Sequence, residues 1–383
     1  MTTSATPATP ATSSTAALPR PSTQRSFPCP GCGASMAFNP GRRALACAAC
    51  GSTRELPEPT SDAQAQALRE QDYQDALRRL AAREPSLQAR VVDCPSCGAQ
   101  TRFDGHVAGD LCAFCASPLL VDQAHLERLI QPQALLPFAL DRPAAQQVFA
   151  QWVAGRWFAP NALKRTVSQA DGIRGVYAPW WTYDASTLTT YRGERGVRRQ
   201  VAGNQSADRS RAGQPPQVVT DWVPAAGVVQ VDFDDILVVG SPSIPAHLAR
   251  VLDRWNLAAL RPPEPELMAG FSVEVYRHGL EQGFSEARGR MQPAIDSAIH
   301  RDIGGDEQRI HGRQTVVDNI RFKHLLLPVW IGSYRFGGKA FQVVVNGQSG
   351  EVEGDRPYSV AKIAVAVVLS IIVLVVWASM SAR

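Results

Sequence analysis

Three kinds of hydrophobic pattern divide the chain. Residues 363–382 read IAVAVVLSIIVLVVWASMSA, 20 residues without a charge. As a helix rising about 1.5 Å per residue, this run spans roughly 30 Å, the thickness of bilayer hydrocarbon. Trp377 lies near one end, where a membrane interface favours it. Core helices rarely run this long without a polar face, so the pattern predicts a transmembrane helix over 361–382.

The second pattern is aromatic and β-branched. Residues 176–192 (VYAPWWTYDASTLTTYR) predict a strand, as do 227–239, broken at Asp232-Phe-Asp-Asp235, and 268–276. Residues 324–336 and 340–345 predict a hairpin around Gly337-Gly338, followed by a turn at Asn346-Gly347 and a short strand near 350–352. The third pattern is helical, over 61–83, 144–157, 246–260 and 281–300. In the first of these, Ser61 and Gln64 have capping-box spacing, Leu68, Ala76, Leu77 and Leu80 make the stripe, and Pro85 ends it. Strands and helices do not alternate strictly, so the expected class is α+β.

Length and composition narrow this picture. The 383 residues allow two or three domains, and 45% hydrophobic with 19% charged residues can bury a core. That composition excludes a collagen, a coiled coil, a fully disordered chain and a polytopic membrane protein. Residues 1–26 are rich in Pro, Ser, Thr and Ala and predict a disordered tail. The 39 Lys and Arg exceed the 35 Asp and Glu by only +4, too mild for a protein that coats nucleic acid.

All eight cysteines fall in the first third, as four C-x-x-C pairs: Cys29/Cys32, Cys47/Cys50, Cys94/Cys97 and Cys112/Cys115. The second quartet repeats the first at an offset of 65 without a gap, and Pro30, Gly33, Ala34, Phe38 and Ser52 recur as Pro95, Gly98, Ala99, Phe103 and Ser117. Each C-x-x-C turn aims two sulfurs at one point, and two turns complete a tetrahedron of thiolates. The quartets therefore predict two zinc ribbons, 27–54 and 91–120, joined by a linker helix over 55–90. Four thiolates leave no open position, so two structural Zn2+ ions are expected, one per quartet. A disulfide framework would need an oxidising compartment, and a redox C-x-x-C would sit in a βαβ unit. Residues 125–357 form the expected α+β core domain, which should stay folded when a ribbon is lost.

No secretory signal precedes the cysteines, and Arg356 and Lys362 before the apolar run outnumber Arg383 after it. This predicts a tail anchor with the N-terminal bulk in the cytoplasm. Within residues 1–130, twelve Arg and no Lys balance twelve Asp and Glu. Little surplus charge is left for phosphates, so protein docking is favoured over nucleic acid, although Arg42-Arg43 could touch one phosphate.

Three features of the core invite a catalytic reading: the carboxylates Asp232, Asp234 and Asp235; the Gly304-Gly305-Asp306 turn; and His300, His311 and His324 with Asp302. Each has a plainer explanation in a strand end, a helix C-cap or scattered spacing, so no catalytic residue is assigned. Trp180-Trp181, Trp152 and Trp157 are expected in the core. No G-x-x-x-x-G-K-[ST] occurs: at the one Gly-Lys pair, Gly338-Lys339, Ser333 stands where the first Gly is needed. G-x-S-x-G and H-E-x-x-H are also absent.

The segments 27–33 (FPCPGCG), 156–161 (RWFAPN), 175–180 (GVYAPW), 233–235 (FDD), 303–306 (IGGD), 323–330 (KHLLLPVW), 346–350 (NGQSG) and 356–359 (RPYS) carry a resemblance. Through them the chain resembles a group of bacterial membrane-anchored proteins with TFIIB-type zinc ribbons, often labelled primosomal protein N' (replication factor Y), superfamily II helicase. The missing phosphate loop speaks against helicase activity here. The resemblance implies work alongside phage-shock-type and flotillin-like envelope-stress proteins at the bacterial plasma membrane. The expected function is a non-enzymatic zinc-binding adaptor. Its rivals are a nucleic-acid-binding accessory factor, and an enzyme using Asp232, Asp234, Asp235 or Asp306.

Overall fold

Residues 176–183 are buried without interruption, as expected of a strand covered on both faces. A computed structural model describes residues 27–82, 87–103, 109–115, 117–120, 123–156, 173–201, 217–249, 252, 254–336, 339–355 and 360–381. The expectations for 1–26, Pro85, Trp157, Gly337-Gly338, 356–359 and all but Arg156 of 156–161 lie outside the described residues.

The first cysteine module contains β1 (Phe27–Pro28), β2 (Ser35–Asn39), β3 (Ala44–Cys47) and β4 (Thr53–Glu55), in that order in one antiparallel sheet. Then come α1 (Ser61–Leu68), β5 (Gln71–Asp72) and α2 (Tyr73–Ala81). The second module contains β6 (Leu87–Asp93), β7 (Gln100–Phe103), β8 (Gly109–Leu111), β9 (Pro118–Leu120) and β10 (His125–Leu129). The remaining elements are β11 (Ala134–Leu135), α3 (Arg142–Ala154), β12 (Ile173–Val201), β13 (Gln217–Val239), α4 (Ala246–Ala249), a 3-10 turn (Leu257–Ala259), β14 (Ser272–Val273), α5 (Leu280–Ile303), β15 (Glu307–Phe336), β16 (Lys339–Asn346), β17 (Val352–Gly354) and α6 (Val360–Ser381).

The main sheet runs β13-β12-β15-β16-β17, antiparallel throughout, with β11 and β14 added in parallel on β15 and β12. This is a mixed α+β fold. Alternation along β12 decides what each face meets. Val176, Ala178 and Trp180 face one hydrophobic cluster, and Ile173 and Tyr177 face another. Beyond Asp184 the sheet continues as a three-stranded arm. One face of the arm packs on α5 through Tyr191, Val229, Ile299, Ile303 and Ile310. Its other face leaves Leu188, Val228 and Val316 half exposed.

Several elements differ from the sequence expectation, for identifiable reasons. The helix expected over 61–83 is two helices, because β5 between them pairs with Arg321 and Phe322 of β15. Thr60, not Ser61, caps α1 by accepting from the Ala63 N–H at 3.3 Å, and the Gln64 amide donates to the Leu260 carbonyl at 2.5 Å. The strand expected over 227–239 begins at Gln217 and passes through the acidic run by a bulge. The helix expected over 246–260 shrinks to α4 and a 3-10 turn. There, Arg261 exchanges backbone hydrogen bonds with Leu135 at 2.8 and 2.9 Å, so tertiary pairing overrides helix propensity. The strand expected over 268–276 is reduced to β14 and a bridge between Glu274 and Thr101. β15 begins seventeen residues ahead of its expected start, at Glu307. Helix 281–300 is present as α5, ended by Gly304 at φ 66°.

Candidate metal centres

In each cysteine quartet the backbone forms the same turns before any metal is considered. The Gly33 N–H donates to the Cys29 carbonyl at 2.8 Å, Gly51 to Cys47 at 2.9 Å, and Gly98 to Cys94 at 2.8 Å. These glycines hold φ of 74°, 76° and 72°, left-handed values that a Cβ penalises. The turns bring the sulfurs together. Cys29–Cys50 and Cys32–Cys47 are both 3.5 Å apart; Cys94–Cys115 is 3.4 Å and Cys97–Cys112 3.6 Å. Within each quartet all four Sγ atoms lie within 4.8 Å of one another, and all eight cysteines are free thiols.

A disulfide would require about 2.05 Å. Four thiolates around a tetrahedral metal with bonds of about 2.3 Å sit about 3.8 Å apart. Both quartets match the second geometry and could each hold a metal ion such as zinc. Hydrogen bonding among the thiols splits each quartet, pushing Cys112 up in one and raising Cys32 to about 12 in the other, while their neighbours are drawn down. The Ser52 hydroxyl, 3.1 Å from Cys50, and its backbone N–H draw the Cys50 thiol down to about 6. Hydrogen bonding with Cys112 draws Cys97 down to about 5.

The two modules lie against opposite faces of the main sheet. Met36, Phe38, Leu45 and Cys47 of the first join the cluster of Tyr177, Leu326 and Trp330. Cys94, Phe103, Cys112 and Phe114 of the second join the cluster of Trp180, Leu325, Leu327 and Val329. The second module thus shares the innermost core of the sheet with residues 125–357. Its β7 approaches the buried Glu274, which accepts from the Ser241 hydroxyl at 2.5 Å and is pushed up to about 8 by desolvation.

The other sequence candidates do not converge in the expected way. Asp232 and Asp234 are exposed on the arm. Asp306 lies far along β15, where its carboxylate accepts from the Arg198 N–H at 2.7 Å. Gly304-Gly305 ends α5 as a C-cap. Among the histidines, His300 is exposed at the end of α5, His311 lies 3.4 Å from Glu194, and His324 is buried beneath Trp181 with Nδ1 2.9 Å from the Ile130 carbonyl. Asp302 accepts from the Tyr191 hydroxyl at 2.5 Å. Trp180 and Trp181 are fully buried and Trp152 partly so, as expected of core residues.

The structure does bring one of these candidates, Asp234, into a carboxylate cluster with Glu70 and Asp184, which the sequence does not announce, with ligand atoms within 4.8 Å of one another. The buried Lys323 ammonium reaches into it, 3.1 Å from Glu70 and 2.9 Å from Asp235. Lys323 is the one charged residue in the apolar run FKHLLLPVW, and with the acidic run at Asp234-Asp235 it is the signal pointing to the cluster. Burial, together with hydrogen bonding to Glu70, pushes the Asp184 carboxyl up to about 7.

At the far end of the chain, Lys362–Ser381 form a helix with mean hydropathy 2.8 and no part buried, long and apolar enough to cross a membrane.

No family model matches the chain, and no solved structure matches it. It is similar to the uncharacterized protein YdjG of Bacillus subtilis (strain 168), with 25% identity over 343 residues, covering 88% of this chain and 92% of that protein.

Proposed function

We propose that the chain is a membrane-anchored, zinc-binding adaptor without enzymatic activity, in which Cys29, Cys32, Cys47 and Cys50 hold one structural Zn2+ and Cys94, Cys97, Cys112 and Cys115 the other. The reading rests above all on one combination. Two four-thiolate sites, each complete without a solvent ligand, share a chain with an apolar helix that none of the described residues covers. A closed thiolate site stabilises structure and has no position left for a substrate. A bare apolar helix of this length finds its partner in lipid.

In this reading residues 363–382 anchor the protein in the bacterial plasma membrane with its bulk in the cytoplasm, and the two TFIIB-type zinc ribbons and the arm present surfaces to protein partners. The envelope-stress setting implied by the family resemblance belongs to the same proposal. Lys323 supports the non-enzymatic part, since its ammonium already compensates the carboxylates that most resemble a catalytic group.

The test uses the full chain in its own host. Expected are recovery in the membrane fraction resistant to alkaline wash, two zinc ions per chain, and co-purifying proteins that survive nuclease treatment. Nucleic acid bound with an affinity that falls steeply with salt would replace the adaptor reading with the accessory-factor one. Recovery in the soluble fraction would remove the anchor.

A further inference from the structure

The quartets repeat in sequence, but their second knuckles do not repeat in environment. Ala48, Ala49 and Cys50 are exposed. Their counterparts 65 residues on are not: Ala113 and Phe114 are buried and Cys115 is half-buried. The ties to the rest of the protein differ in the same way. In the second module three side chains of the core grip backbone carbonyls next to the ligands. Arg277 donates to the Gly98 carbonyl at 2.9 Å, Arg174 at the start of β12 to the Leu111 carbonyl at 3.0 Å, and Ser333 of β15 to the Phe114 carbonyl. The Val275 N–H also donates to the Gln100 carbonyl at 2.9 Å.

In both modules the knuckle turns bond within themselves, Cys29 N–H to Ala34 and Cys47 N–H to Ser52 in the first, Cys94 N–H to Ala99 and Cys112 N–H to Ser117 in the second; the first module differs in its ties to the core. Its backbone tie to the core runs through strand β2 instead, from the Phe38 N–H to the Ala269 carbonyl at 2.8 Å.

We infer that the two sites have divided their roles: the metal of the second site is a lock on the β12–β15 sheet, and the metal of the first is the exchangeable one. This rests on the reading that both quartets take zinc. Arg174 and Ser333 stand on the two strands that pair through the centre of the molecule. Their acceptors are carbonyls whose positions the metal fixes by closing the knuckle. Losing that metal leaves Phe114 and Cys112 without a folded turn to hold them in the core, and exposes the Trp180 face. Losing the first metal releases a knuckle whose Ala48, Ala49 and Cys50 already face solvent, with only Cys47 of it buried. The protein is thus built to give up one zinc while its core remains closed.

The experiment is stepwise zinc removal from the detergent-solubilised full chain with a competing chelator, followed by hydrogen exchange with peptide resolution. The untreated chain must first count two zinc ions; a count of zero or one would defeat the zinc reading itself and is seen before any chelator is added. Given two, the first zinc to leave should take protection from residues 27–55 only. The second should speed exchange at least about tenfold across 173–184 and 322–333, through sub-global opening. Cys50→Ser should retain one zinc and the protected core, whereas Cys115→Ser should lose protection in β12 and β15 or fail to accumulate. Simultaneous release of both metals, earlier release from the second site, or a core that stays protected with the second site empty would each overturn the inference. Because stepwise removal uses the unaltered chain, a Cys115→Ser variant that does not fold leaves the result decidable.

Discussion

Asp235 and Asn319 flank the central strand at one level, Asp235 across from Asp184 and Asn319 across from Ala185, and both hold left-handed backbone at φ 50° and 53°. Each belongs to a bulge in which two residues of an outer strand face one of β12: Asp234 and Asp235 on one side, Asn319 and Ile320 on the other. Paired bulges bend a sheet and raise its twist. Here the bend separates the buried part of the sheet from the arm. It also turns the Asp235 N–H onto the Asp184 carboxylate at 2.6 Å, next to Lys323.

The left-handed position at 319 can be probed directly. Asn tolerates this conformation and β-branched residues do not. Asn319→Val should lower unfolding stability by about 1–2 kcal/mol, and Asn319→Gly should stay close to the parent. Urea midpoints of the two variants make the comparison; equal midpoints would show that the bulge accepts an ordinary backbone.

Lys323 is buried, while its partners Glu70 and Asp235 retain side-chain exposures of 25% and 32%. Lys323→Met keeps the packing and removes the charge, leaving both carboxylates without their cation. The cost expected for breaking a fully buried pair is about 3–5 kcal/mol; screening by solvent at the exposed partners brings it to about 2 kcal/mol. Denaturant unfolding at neutral pH measures it. Adding Glu70→Gln to Lys323→Met should recover part of the loss, which a pure packing defect would not do.

Glu274 makes stability fall as pH rises. Its folded-state pKa of about 8 lies above the unfolded value, so its contribution is complete below about pH 4.3 and is lost progressively up to about pH 8. Asp184, at about 7, acts with the same sign over a lower window. His324 has the opposite sign. Burial holds it at about 4, so its contribution is present above about pH 6.5 and is lost as pH falls through 4. Glu274→Gln can still accept from Ser241 but carries no titrating proton. It should be more stable than the parent by about 4–5 kcal/mol at pH 8 and by only about 1 kcal/mol at pH 5. Parallel stability curves for the two proteins would show that Glu274 does not carry this dependence.

In α6, Leu369→Arg places a charge mid-helix, which costs about 3 kcal/mol for membrane insertion. The variant should move measurably from the membrane to the soluble fraction, whereas Leu369→Ile should not. Equal partition of both would remove the helix from the lipid.

Different residues were legible in the sequence for different physical reasons. The cysteine quartets were fully legible because their chemistry is local: each knuckle is a four-residue turn, and the 65-residue repeat displays it twice. The apolar helix was legible because its length and lack of charge need no context. The centre of β12 showed itself through β-branched and aromatic residues, but the first half of β15 did not. There Ile310, Val317 and Ile320 are separated by Arg, His, Gln, Asp and Asn, since only one face of the arm is covered. The helix misread at 246–260 has real helical periodicity that loses to pairing between Arg261 and Leu135. Of the Glu70–Asp184–Asp234 cluster the sequence showed Asp234 alone, in its acidic run; the grouping could not be read, because its members come from three segments joined only by the fold.

The long pairing of β12 with β15 also sets a timetable. Ile173 pairs with Gly332 and Trp180 with Leu325, so the contacts that bury the central strand span well over a hundred residues of chain. β12 and β13 can form a hairpin early, but it keeps an open edge and an uncovered pair of tryptophans until β15 has been made. Closure of so non-local a sheet is slow, because the entropy of a long loop is lost before any contact rewards it. Only 23 residues separate Phe336, the last of β15, from Val360, where the apolar helix starts. The step that hides the sheet's core and the arrival of the chain's most aggregation-prone segment therefore fall almost together, so a delay in the first exposes both at once.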